Sequence, residues 1–179
     1  IVFEGTTTHK TWVLPDAQIV KTHIMEGPWT VKFQAERGAP SQISLNSLRS
    51  LSTHEQDGVK YFSGVATYVN KYELSGISRG EKIMLDLGEV KNLAEVLING
   101  VKVATLWKKP FQVDISQALK IGKNSIEINV INSWVNRLVG DAQPGAKKIT
   151  FTSFPLIRPN TPMEESGLLG PVKIETWQE

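Results

Sequence analysis

Asp86, Asp114, Asp141, Glu164 and Glu165 offer the carboxyl groups that glycosidic-bond hydrolysis would need. That chemistry requires one pair of them roughly 5–9.5 Å apart across a cleft. Sequence carries no such distance, so no residue is assigned a catalytic role. His9, His23 and His54 lie in the first third of the chain at spacings unlike HExxH or a zinc finger, and there is no cysteine to complete a thiolate site or act as nucleophile. No GxSxG elbow, phosphate loop or GxGxxG follows a strand pattern, which leaves acyl transfer, phosphoryl transfer and dinucleotide binding without a motif.

Binding chemistry has better candidates. Five tryptophans are many for 179 residues, and a flat indole face serves either a core or the C–H face of a sugar. Trp29 continues the Val31/Phe33 face and Trp134 continues the Ile126/Ile128/Val130 face, so both are expected in the core. Trp107, followed by Lys108-Lys109-Pro110, is open between packing and an exposed platform. Trp12 and Trp177 could seal a sheet edge or dock on a neighbouring domain. Asn136, Arg137 and Asp141 set an amide, a guanidinium and a carboxylate beside a glycine. Such a set suits bidentate hydrogen bonding to vicinal hydroxyls, or equally a local Arg137–Asp141 salt bridge.

The elements that must position these groups read as strands. In 27–34, Trp29, Val31 and Phe33 alternate with polar residues; 61–74 is a long β-rich segment in which Gly64 hints at a bulge; in 82–88, Ile83, Leu85 and Leu87 share one face. Asn99-Gly100 within 93–107 is the dipeptide a type I′ hairpin wants, and predicts Ile98 opposite Val101 and Val96 opposite Val103. A strand, a turn of helix at Ser116–Leu119 and a second strand fill 111–134, and 170–177 closes the series with Val172 and Ile174 inward. Residues 35–58 read as a long connection with at most one helical turn. About eight strands and no helix of three turns point to an all-β, antiparallel β-sandwich or jelly roll. Residues 135–169 stand out as a long segment with few strand signals, yet too apolar for disorder.

Composition agrees with one folded domain: 40% hydrophobic, 21% charged, net +2. That charge is too small to suggest a nucleic-acid footprint or a polybasic membrane patch, and the apolar runs are too short to span a bilayer. The chain begins at Ile1 and reads like a piece of a longer polypeptide. Residues 1–26 are expected to be a linker or edge strand, and 27–179 the sandwich. No loop is acidic enough to expect a structural Ca²⁺, so no cofactor is expected.

The run LDLGEVKNLAEVLINGVKVATLWKKPFQVDIS (85–116), followed by NSIEINVINSWVNRLVGDAQ (125–143) and ESGLLGPVKIE (165–175), resembles the sugar-binding jelly-roll domain of family 2 glycoside hydrolases. It is still more similar to the version near the C-terminus of bacterial family 106 α-L-rhamnosidases. GPWTVKFQ (27–34) and YFSGVATYV (61–69) match in the same order, so the resemblance covers about 26–177. It implies a galactose-binding-like fold and a non-catalytic accessory, carbohydrate-binding role in a bacterial polysaccharide-degrading enzyme. The catalytic acid and nucleophile would sit in a separate domain of the same polypeptide. It further implies that the loop after Trp134 reaches that domain's substrate, with Asn136, Arg137 and Asp141 as candidates and Glu165 and Ser166 flanking. Carbohydrate and the catalytic domain are the expected partners, and a periplasmic or cell-surface location in a Gram-negative bacterium the expected setting. A purely structural spacer is the alternative, and a stand-alone hydrolase the weaker one.

Overall fold

Alternation decides the architecture. In the computed structural model, which describes residues 18–153 and 156–178, each stretch with apolar residues at every second position becomes a strand with one buried face. In chain order these are β1 (Gln18–Ile24), β2 (Trp29–Phe33), β3 (Gln42–Leu45), β4 (Val65–Leu74), β5 (Glu81–Asp86), β6 (Glu89–Lys91), β7 (Leu93–Ile98), β8 (Val101–Leu106), β9 (Gln112–Asp114), β10 (Gly122–Ile131), β11 (Gly167–Gly170) and β12 (Lys173–Gln178). Twelve described strands replace the eight or so expected from sequence: β3, β6 and β11 have only three or four residues and show little periodicity, and β1 lies in the stretch expected to be a linker or edge strand. A four-stranded sheet runs β1-β12-β5-β9, a six-stranded sheet β3-β2-β4-β10-β7-β8, and β11 pairs with β6. The strand pairs are antiparallel. The fold is an antiparallel β-sandwich.

One core cluster lies between the layers. Trp29, Tyr68, Val96, Ile98, Ile126 and Ile128 come from the larger sheet, and Ile83, Leu85 and Ile174 from the smaller. Each fully buried aliphatic side chain contributes about 1.5–3 kcal/mol relative to its exposed state. β1 is exposed along its length and, among the described residues, forms one edge of the four-stranded sheet. Residues 1–17, with Trp12 and His9, lie outside the described residues.

Several expectations need correction. The hairpin turn is where Asn99-Gly100 put it, with φ of 53° and 81°. A bulge, however, shifts the register, so Val96 pairs with Ala104 rather than Val103, while Ile98 still pairs with Val101. Gly64 is no bulge: it precedes β4, whose pairing with β10 is unbroken from Val65 to Leu74, and its φ of 131° serves the entry to the strand. The connection 35–58 contains β3 and a 3-10 turn at Leu51–Thr53, and α1 (Asp57–Lys60) begins in it. Trp134 is not core: β10 ends at Ile131, the alternation stops there, and the indole is 49% exposed with the Arg37 guanidinium 5.1 Å from its ring centroid.

Candidate functional site

The long segment after β10 opens with a seven-residue helix, α2 (Val135–Asp141). So short a helix is marginal by itself, and tertiary bonds hold it. Asn136 is buried and clasps the far end of the segment: its Nδ2 donates to Glu164 O at 2.8 Å and its Oδ1 accepts from Glu164 N at 2.9 Å. Beside it the Gly167 amide donates to Asn132 Oδ1 at 2.7 Å, and Ser166 N donates to Ser50 Oγ at 3.0 Å. Gly140 is required by space, since a Cβ there would lie 2.6 Å from Tyr61 Cβ.

Arg137 and Asp141 form an i,i+4 ion pair at 3.0 Å with side chains 6% and 7% exposed. Asp141 also accepts from Ile149 N at 3.0 Å, Thr150 N at 2.8 Å and Thr150 Oγ1 at 2.5 Å. Burial by itself would raise its pKa; the bonds from Thr150 and Ile149 and the Arg137 charge outweigh that and hold the carboxyl below its ordinary value. Ser63 Oγ accepts from Arg137 N at 3.3 Å and donates to Ser133 O at 2.6 Å. The structure thus brings Asn136, Arg137 and Asp141 together and buries them, with Asp141 also at the wall of a groove. Their hydrogen bonds organise the segment between α2 and Glu164 and are not directed at solvent.

That segment instead presents apolar groups outward. Leu138, Ala142, Phe151, Leu156 and Ile157 line a groove of about 480 Å³ together with the polar Asp141, Lys148, Thr150 and Thr152, and Phe151 and Leu156 are 92% and 74% exposed. The apolar count of 135–169 was legible in sequence; its outward direction was not, because no periodicity assigns a face to an irregular segment.

Trp107 and Glu165 belong to a second surface. Trp107, just beyond β8, is 68% exposed, with Lys108 Nζ 5.6 Å from its ring centroid. Two residues on, Lys109 Nζ reaches Glu89 at 2.6 Å; Glu89 also pairs with Lys91 at 2.8 Å, and Lys91 with Glu165 at 3.2 Å. The Lys109 hydrogen bond, then the one from Lys91, lower the Glu89 carboxyl to about 2, and Lys91 is raised, chiefly by its bond to Glu89. Glu165 therefore joins an exposed charge network and not the buried Arg137–Asp141 pair. Glu89 and Lys91 gave no sequence signal, since β6 is three residues long, and Lys109 lies in the irregular stretch between β8 and β9.

No family model matches the chain. A curated relative from Formosa agariphila, described provisionally as a β-glucuronidase, is 35% identical over 87% of this chain and 16% of its own length. Among solved structures, a rhamnosidase from Novosphingobium sp. PP1Y is 44% identical with a TM-score of 0.86, covering 96% of this chain and 16% of that one. A β-D-glucuronidase from Dictyoglomus thermophilum shares the fold at 21% identity and a TM-score of 0.64, over 89% of this chain and 28% of that one. The chain spans about a sixth of the length of the curated relative, and corresponds to one domain of larger glycoside hydrolases.

Proposed function

We propose that this chain is a non-catalytic accessory β-sandwich that packs against the catalytic domain of a larger bacterial glycoside hydrolase through the surface built by α2, residues 148–153 and residues 156–157. The observation that supports this reading is the outward Phe151 and Leu156 beside an apolar groove, 92% and 74% exposed. Contiguous exposed apolar surface of this kind is what an interdomain contact covers. Asn136 and Arg137 set the shape of that surface from beneath, and Asp141 does so while also lining the groove. Carbohydrate contact by the domain itself would fall to Trp107, the exposed indole, with Glu165 in the charge network nearby. We further propose a periplasmic or cell-surface setting, which rests on the family resemblance alone.

The test is Phe151→Asp in the isolated chain and in the full-length protein. In the chain, stability should change by no more than about 0.5 kcal/mol, since an exposed side chain is replaced. In the full-length protein the variant should lower glycosidase activity and expose the domain junction to limited proteolysis. Unchanged activity and proteolysis would overturn the docking reading and leave a spacer.

A further inference from the structure

The one Asn-Gly pair in the chain, Asn99-Gly100, turns the β7–β8 hairpin beside the start of β10, at the far end of that strand from α2. Asparagine before glycine is open to deamidation, because no Cβ hinders the approach of the glycine nitrogen to the side chain before it. The reaction needs a reachable nucleophile and a free electrophile. Gly100 meets the first condition: it is exposed, and among the described residues nothing lies within 4 Å of where a Cβ on it would stand.

The Asn99 carboxamide does not meet the second. Its Nδ2 donates to Asn124 Oδ1 at 2.8 Å and to Ala118 O at 3.2 Å, and its Oδ1 accepts from Ser125 N at 3.1 Å. The backbone follows the side chain, with Asn99 N donating to Ser125 O at 2.9 Å. The anchor is itself held: Asn124, 2% exposed, donates through Nδ2 to Lys120 O and Gly122 O and accepts at Oδ1 from Lys120 N. Every bond of the carboxamide runs from the hairpin tip to residues 118–125. Turning Cγ toward Gly100 N therefore breaks all three, and that is a local opening of the hairpin tip.

We propose that Asn99 is a deamidation site that is closed while the hairpin tip is docked on residues 118–125 and reacts when that contact opens. In the open form Gly100 N gives its proton to hydroxide and attacks Asn99 Cγ; the Cγ–Nδ2 bond breaks, and ammonia leaves with a proton taken from water. Water then adds to either carbonyl of the succinimide and opens it to aspartate or isoaspartate. The product docks poorly. A carboxylate oxygen stands where Nδ2 had donated and faces two acceptors, Asn124 Oδ1 and Ala118 O. Isoaspartate also lengthens the backbone of a turn whose two residues hold φ of 53° and 81°. The site is independent of the α2 surface.

The experiment is incubation of the folded chain at mildly alkaline pH, then digestion and mass spectrometry of the peptide that carries residue 99, with aspartate and isoaspartate separated by chromatography. The guanidinium-unfolded chain is the reference. The folded chain should convert at least about tenfold more slowly, and the slowing should match, within a factor of about three, the hydrogen-exchange protection of the Ser125 amide, whose acceptor is Asn99 Oδ1. Asn124→Ala removes one acceptor and should speed conversion several-fold. If that variant does not fold, the match to Ser125 exchange in the unaltered chain decides. Asn99→Asp should speed Ser125 exchange about tenfold by leaving the tip undocked. Conversion of the folded chain at the unfolded rate would overturn the proposal, as would slowing that does not match Ser125 protection or aspartate formed without isoaspartate. So would a folded Asn124→Ala that reacts no faster, or Ser125 exchange unchanged in Asn99→Asp.

Discussion

Asp141→Ala is the sharpest test of whether the α2 trio is structural. The substitution removes acceptors for Ile149 N, Thr150 N and Thr150 Oγ1 and leaves Arg137 a buried cation whose Nε already has no partner among the described residues. Breaking one side of a buried ion pair costs about 3–5 kcal/mol. For a domain of this size that lowers Tm by roughly 6–20 °C at 2–4 °C per kcal/mol. Urea unfolding at neutral pH measures it directly. Arg137→Leu/Asp141→Ala should recover part of the loss, because the stranded charge goes with its partner. The pH dependence has a definite sign. Asp141's folded pKa lies below 3.8, so its contribution is complete above the unfolded value and fades as pH falls through the folded one. The gap between wild type and Asp141→Ala should therefore narrow in acid. A loss under about 1 kcal/mol at pH 7, or a gap that widens in acid, would refute the reasoning and return Asp141 to the ligand candidates.

Three further outcomes follow from the geometry. Gly167→Ala should destabilise the chain by roughly 2–4 kcal/mol in urea unfolding, since Gly167 has φ 91° and an added Cβ would press on Tyr68 Oη. The Glu89 carboxyl should titrate near 2 by carbon-detected NMR and move toward 4.5 in Lys109→Ala, because the Lys109 bond is the largest cause of its depression; no movement would remove the network as the cause. Trp107→Ala should change stability by no more than about 0.5 kcal/mol, and a larger loss would make the exposed indole a packing residue.

Much of the sandwich was legible because it follows from local rules. Parity placed Ile83, Leu85, Ile126, Ile128, Val172 and Ile174 in the core, and Asn99-Gly100 fixed its turn through the positive φ both residues tolerate. The failures share a cause: parity holds only while a strand continues. One bulge moved Val96 onto Ala104, and the end of β10 at Ile131 released Trp134 to the surface. The polar trio was legible as an amide, a guanidinium and a carboxylate close in sequence, with the Arg137–Asp141 pair open as an alternative to ligand contact. Its direction was hidden, because the partners Glu164, Ile149 and Thr150 come from irregular chain with no period to read.

The clasp of Asn136 on Glu164, with Asn132 on Gly167, has a consequence for how this fold can change. The far end of the intervening chain is fixed to α2 and to the end of β10 by the side chains of Asn136 and Asn132, while its near end continues directly from α2. Loop-closure entropy grows slowly, about 0.6 kcal/mol per doubling of length. Insertions and substitutions between the anchor points therefore cost the β-sandwich little, provided Ile149 and Thr150 still meet Asp141. The length and outer surface of this stretch can thus change while the strands beneath keep their register.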